Sequence, residues 1–333
     1  MALPRPPRAL TVSVAAAGTA AGIALQLRHL RQVARDPDYA ALTAPLGGSP
    51  LAVTSADGTR LHAEIFGPPD GATVVLAHGW TEELAFWGPV IRRLRAAGLR
   101  TVAYDLRGHG ASDAATDRDY SLERFGEDLE AVLVAATPEQ QLATVAGHSL
   151  GAMSIAAWAE HHDVGARARA AALINVGLGD LIAGHLLFGE LAKRLESPLL
   201  SRFVLGSRAS LLPFSTPLQQ AMIRHAAFGP TATAGQVAFF EQMLVGTAPD
   251  VRAAAGVALT DMDLWHAVAR LTVPTLVVAG ERDRLTPPAH ARRIAQALPD
   301  SAGLIVLPET GHMSPLERPQ EIATALIELS AHP

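Results

Sequence analysis

The chain has 333 residues, 49% of them apolar and 18% charged, with a formal charge of −5. That balance describes a globular chain with ample core, and the lack of any run of Lys or Arg excludes an electrostatic nucleic-acid binder. With no cysteine there is no disulfide framework and no thiolate nucleophile.

In residues 1–35, Arg5 and Arg8 precede an uncharged stretch over 9–27, after which Arg28, Arg31 and Arg35 follow quickly. As a helix the stretch would rise about 28 Å, close to a bilayer's hydrocarbon core, although Ala, Gly, Thr and Ser dilute it. The favoured expectation is an uncleaved anchor that makes the protein membrane-associated. The alternatives are a cleaved signal peptide (secreted) and a helix lying on the protein or in solution (cytoplasmic). Residues 36–50, rich in Pro, Gly and Ala, read as a linker.

Short strands over 51–55 and 60–66 are joined by Asp57-Gly58, a hairpin signal. A buried strand over 73–77 ends at His78-Gly79-Trp80. The helix after it should start near Ala85, with Trp87, Ile91 and Leu94 on one face, and stop at Gly98. A strand over 101–104 closes on Asp105-Leu106-Arg107-Gly108-His109-Gly110, and Ser121 can cap a helix reaching about Val134. Next, an apolar strand over 142–146 breaks at Gly147-His148-Ser149-Leu150-Gly151 and runs into a helix. Buried strands follow over 170–176, 273–279 and 303–307, and a last helix starts at Pro319 with Ile322, Leu326 and Leu329 inward.

This alternation predicts an α/β fold: a mostly parallel twisted sheet with helices on both faces, edged by the antiparallel first hairpin. The core takes residues 51–176 and 273–333. Residues 177–272 show no strand pattern and far exceed the usual connection of about 2–6 residues. Their apolar clusters, Leu186-Leu187-Phe188, Leu211-Leu212-Pro213-Phe214 and Ala238-Phe239-Phe240, predict a helical cap inserted after the sixth strand.

Ser149 sits at a strand–helix corner that needs small neighbours, which Gly147 and Gly151 supply. Asp283 and His312 end two later strands, and in a parallel sheet such ends share one edge. A serine hydroxyl needs a base before it can attack, and His312 is the candidate. Asp283 would hold the imidazole tautomer and stabilise the imidazolium. Asp105 also ends a strand and competes for the acid role, though bracing a loop suits it better. The oxyanion donors expected are the backbone N–H groups of Leu150 and Trp80. His78, Trp80 and Trp265 are candidate pocket residues. Met222, Met243, Met262 and Trp265 also read as cap core.

His109 and His148, held inside motifs, read as packing beside the site. His161-His162-Asp163 at a helix end cannot converge on one ion, so no metal is expected. Gly177-Leu178-Gly179 lacks the third glycine of a dinucleotide fingerprint, Ile182 standing in its place, so no cofactor is expected.

Together, His78-Gly79-Trp80, Asp105-x-Arg107-Gly108-x-Gly110, Gly147-x-Ser149-x-Gly151, Gly280-x-x-Asp283 and Gly311-His312 make the chain from about Leu51 to Ala331 resemble the α/β-hydrolase fold superfamily. The resemblance implies serine-dependent hydrolysis of an ester or related acyl bond through an acyl-enzyme, without a cofactor. Epoxide hydrolases and haloalkane dehalogenases of similar outline carry aspartate where this chain has Ser149, and epoxide hydrolases tend to have Pro where it has Thr81. The apolar cap favours a small or medium apolar ester, as in serine esterases and lipase-like members. Alternatives on the same triad are a cofactor-free haloperoxidase or perhydrolase and a carbon–carbon bond hydrolase. An alternative of another class is a catalytically silent binding protein. The oligomeric state is not legible.

Overall fold

The computed structural model describes residues 22–137, 141–179, 205–208, 215–260 and 262–331. Its strands are β1 (Ser49–Thr54), β2 (Arg60–Phe66), β3 (Thr73–Ala77), β4 (Arg100–Tyr104), β5 (Ala143–His148), β6 (Ala168–Ile174), β7 (Thr275–Gly280) and β8 (Ser301–Leu307). They form one sheet in the order β1-β2-β4-β3-β5-β6-β7-β8. The hairpin β1–β2 is antiparallel, as is β2 against β4, and every later pairing is parallel. In β3 and β5 every residue is buried, the physical reason both read as unbroken apolar runs. The chain leaves β3 towards one side and β5 towards the other. That reversal opens a crevice at their carboxyl ends, where an open α/β sheet binds ligands.

The helices are α1 (residues 22–34), α2 (Pro37–Thr43), α3 (Gly88–Ala96), α4 (Leu122–Ala136), α5 (Leu150–His161), α6 (Pro217–Ala227), α7 (Ala234–Gly246), α8 (Pro249–Ala258), α9 (Pro288–Ala297), α10 (Ser314–Glu317) and α11 (Pro319–Ser330). One face of the sheet packs Val74 and Leu76 against Ile91 and Leu94 of α3 and Leu326 of α11. The other packs Val75 and Val145 against Leu129 of α4, Ile155 of α5 and Ile294 of α9. Ser121 caps α4 as its sequence suggests, accepting from the Arg124 N–H at 3.4 Å. Helices α6, α7 and α8 fall between β6 and β7, where the cap was expected; its clusters over 186–188 and 211–214, with Ile182, lie outside the described residues.

One expectation changes. The 36–50 stretch is not a free linker, because α2 forms there. Asp36 accepts from the Asp38 N–H at 3.0 Å, and Pro37 takes the first helical position, where a missing N–H costs nothing. Asp36 also accepts from the Gly235 N–H at 2.8 Å, which docks this segment on α7. Most of the 9–27 stretch lies outside the described residues. The part described belongs to α1, held at the cap by Gln26 to the Ser215 carbonyl at 2.6 Å and by His29 to the Ser215 hydroxyl at 2.8 Å. Among the described residues no helix is long and apolar enough to cross a membrane.

Candidate active site

Ser149 joins β5 to α5 with φ 51° and ψ −114°, a left-handed backbone that a non-glycine residue adopts only at a cost. Its neighbours must be glycine. A Cβ on Gly147 would strike the Gly151 carbonyl, and one on Gly151 would strike the Ala77 carbonyl at the end of β3. The corner is therefore pressed against the neighbouring strand. Its N–H is tied to the Ile174 carbonyl at 2.9 Å. Leu150 opens α5, so its N–H has no acceptor within the helix and stands at the positive end of the dipole.

His312 lies in the loop after β8, its Nδ1 2.8 Å from Oδ2 of Asp283 in the loop after β7. Asp283 is only 4% exposed, yet its carboxylate is fully served. Oδ1 accepts from the Leu285 and Thr286 N–H groups, each at 2.9 Å, and Oδ2 from the Thr286 hydroxyl at 2.8 Å and the Asn175 amide at 2.9 Å. Burial alone would raise the Asp283 pKa. The adjoining His312 and these donors outweigh it and hold the carboxyl below its usual range. An ionised carboxylate facing Nδ1 fixes the proton there, so Nε2 is left to accept one.

Ser149 and His312 both line a cavity of about 210 Å³ whose walls are otherwise mostly apolar, among them Met153, Leu205, Ile223, Phe240 and Leu244. Trp80 lines it too, its indole pinned by a 2.9 Å bond to the Arg252 carbonyl of α8. Two of the three expected pocket residues lie elsewhere. His78 is fully buried and knots two loops, donating from Nδ1 to the Gly79 carbonyl at 2.8 Å and accepting the Leu106 N–H on Nε2 at 2.9 Å. Trp265 sits under the Arg293 guanidinium, 3.6 Å from its ring centre, and close to Gly179. Side chains that find such partners turn away from the crevice.

Asp105 braces loops rather than joining His312. It accepts from the Leu84 and Ala111 N–H groups at 2.6 and 2.9 Å and pairs with His62 at 2.7 Å. His109 is buried against His78, and burial pulls its pKa down to about 4. Met222, read as cap core, is exposed, whereas Met243 is buried. Among the described residues no group of His, Asp and Glu is placed to hold a metal ion.

Sequence reasoning missed Asn175, Thr286 and Glu82. Asn175 follows β6 at φ 49° and also accepts from the Ser314 hydroxyl. A polar residue set in the apolar run before Val176 was its one local signal. Glu82 is buried and faces His148, and nothing along the chain links those two positions.

A family model described as alpha/beta hydrolase fold matches residues 72–319. A protein provisionally designated carbamate hydrolase RutD, of Variovorax paradoxus (strain S110), is 32% identical over 253 residues, 76% of this chain and 89% of its own. A thermophilic esterase from Thermogutta terrifontis superposes with a TM-score of 0.69 over 84% of this chain and 97% of its own, at 20% identity. A bacterial membrane phospholipase A superposes with a TM-score of 0.66 over 98% of this chain and 99% of its own, at 21% identity. At those identities the likeness to the solved structures is one of fold.

Proposed function

Because the chain belongs to the alpha/beta hydrolase fold family, we propose that it is a serine hydrolase cleaving a small or medium apolar carboxylic ester through an acyl-enzyme. One observation carries this reading: Ser149 and an Asp283-paired His312 open onto the same largely apolar cavity. In the proposed reaction Ser149 Oγ attacks the ester carbonyl carbon while its proton passes to His312 Nε2, and Asp283 stabilises the imidazolium. The oxyanion accepts from the Leu150 and Trp80 N–H groups, with the N-terminus of α5 behind the first. Collapse of the intermediate expels the alkoxide, which takes the proton from His312. Water then enters, and the same steps release the acid. Apolar walls suit an acyl or alkyl chain, since each methylene buried contributes about 0.8 kcal/mol.

The test is labelling of Ser149 by a fluorophosphonate, followed by an acyl-chain series of chromogenic esters. The expected result is labelling, with medium-chain esters turned over faster than acetyl esters; the reverse preference would overturn the substrate class. Parallel assays with a carbamate, with peroxide and acetate, and with a vinylogous diketone separate the rival chemistries. Folded protein that resists the label would point to a silent binder.

The reading includes membrane attachment through residues 9–27. Its support is that Ile23, Leu25 and Leu27, the described end of that run, are exposed on α1. The full-length protein should float with lipid vesicles in a density gradient. Recovery in the lipid-free fractions would overturn it.

A further inference from the structure

We propose that Glu82 and His148 are a buried positioning pair that couples the oxyanion loop to the backbone of the catalytic histidine, an inference that rests on the serine-hydrolase reading above. The connection is continuous. Glu82 Oε2 accepts from the Gly79 N–H at 2.5 Å, directly before Trp80. Glu82 Oε1 stands 2.9 Å from His148 Nδ1, and His148 Nε2 donates to the His312 carbonyl at 2.9 Å. Both side chains are buried, His148 completely. The His148 ring is further wedged between Phe86, at 4.8 Å between centroids, and the His312 ring, at 4.9 Å. One arm therefore reaches from a proposed oxyanion donor to the proposed base and passes beside Ser149.

The pair needs its proton. A carbonyl at Nε2 and a carboxylate at Nδ1 both accept, so both ring nitrogens must donate. Burial works against a charged His148, but Glu82, the His312 carbonyl and Asp283 outweigh it and raise its pKa above the ordinary imidazole value. The groups facing His148 are Glu82 from the loop after β3, His78 at the end of β3, and Asp283 and His312 from the loops after β7 and β8. Because the folded pKa is raised, the coupling is complete below the ordinary histidine range. It is lost as pH rises through the folded value, when one of the two ring bonds must break.

The test measures phosphonylation of Ser149 by a fluorophosphonate, which needs no knowledge of the natural substrate. The Ser149 Oγ–P bond forms, the P–F bond breaks, fluoride leaves and the serine proton passes to His312. In the wild-type protein kinact should fall on the alkaline side as His148 loses its proton. Glu82→Ala should lower kinact at least about tenfold as the donors drift, and because Glu82 also borders the cavity the decision rests on kinact and not on KI. Glu82→Gln can keep every link, its amide N–H donating to a neutral His148 Nδ1 and its carbonyl accepting from Gly79. It should retain kinact within about threefold near pH 7 and lose the alkaline fall. A group that merely fills space would not move that limb. Labelling of Glu82→Ala at the wild-type rate, or an unchanged alkaline limb in Glu82→Gln, overturns the proposal alone. Failure of folded wild-type protein to label overturns the serine reading and this inference with it. Should Glu82→Ala not fold, the profiles of the wild type and Glu82→Gln decide.

Discussion

Two buried carboxylate pairs in this protein differ in what they leave over. Arg107 uses all five of its N–H donors. Two go to Asp128 at 2.7 and 2.6 Å, two from Nη1 to Asp57 and the Asp119 carbonyl at 2.9 and 3.2 Å, and one to the Ser55 hydroxyl at 3.4 Å. It ties the β1–β2 turn to α4, and none of its partners lines the cavity. His312 gives Nδ1 to Asp283 and keeps Nε2 in reserve. A pair that spends every donor on neighbours holds the fold. One that keeps an atom unspent beside a cavity is placed for chemistry.

That contrast breaks most sharply at Ser149. Replacing it with Ala should lower turnover by roughly 10⁴-fold or more while the unfolding midpoint stays put. Steady-state kinetics and a urea titration on one preparation check both halves, and near-normal activity would reject Ser149 as nucleophile. Asp283→Asn should cost up to about 10⁴-fold in kcat, because an amide no longer fixes the tautomer of His312.

At the structural pair the order of effects reverses. Asp128→Ala strands a buried guanidinium and should destabilise the fold by about 3–5 kcal/mol, with kcat per folded molecule unchanged. Denaturant midpoints joined to active-site titration would show it, and a large drop in kcat would mean the two clusters are not separate. A gentler change, Thr286→Val, removes the hydroxyl donor to Asp283 while keeping shape. A loss of about tenfold in kcat is expected, with Asp283 less strongly held as a carboxylate and the acid limb of the profile moved upward.

An effect on stability alone concerns Glu317, which accepts from Gly229 of the cap and Gly311 beside the base, at 2.8 and 3.0 Å. Burial raises its pKa from 4.5 to about 7 in spite of those bonds. A carboxyl whose folded pKa is raised contributes stability that is full below the unfolded value. That contribution is lost as pH rises from about 4.5 to about 7, and amounts to at most about 3 kcal/mol. Unfolding free energies of the wild type and Glu317→Gln, whose amide stays neutral, should diverge as pH increases across that window, the wild type falling while the variant stays flat. Parallel curves would place the titration elsewhere.

Which groups were legible along the chain follows from how far apart their causes lie. β3 and β5 could be read because burial on both faces forces an apolar run, and Asp57-Gly58 because a tight hairpin needs a residue free to take positive φ, as Gly58 does at 86°. α2 was obscured by the Pro that starts it. His78 and Trp265 were placed in the pocket on residue type, and their partners across the fold turned them elsewhere. Besides His312, the donors around Asp283 come from Asn175, Leu285 and Thr286, and only the first lies on a different strand end, 108 positions away.

By itself, then, the order of residues determined the sheet, its glycine-bound serine corner and the three strand ends that carry Ser149, Asp283 and His312. Those features are local, since each rests on backbone sterics or burial periodicity within a few residues. Only the tertiary structure decided which histidine joins the serine at the cavity, which aromatic faces it, and that Glu82 reaches His148. Such outcomes depend on hydrogen bonds closed between segments far apart in the chain, and a bond of that kind leaves no spacing to read.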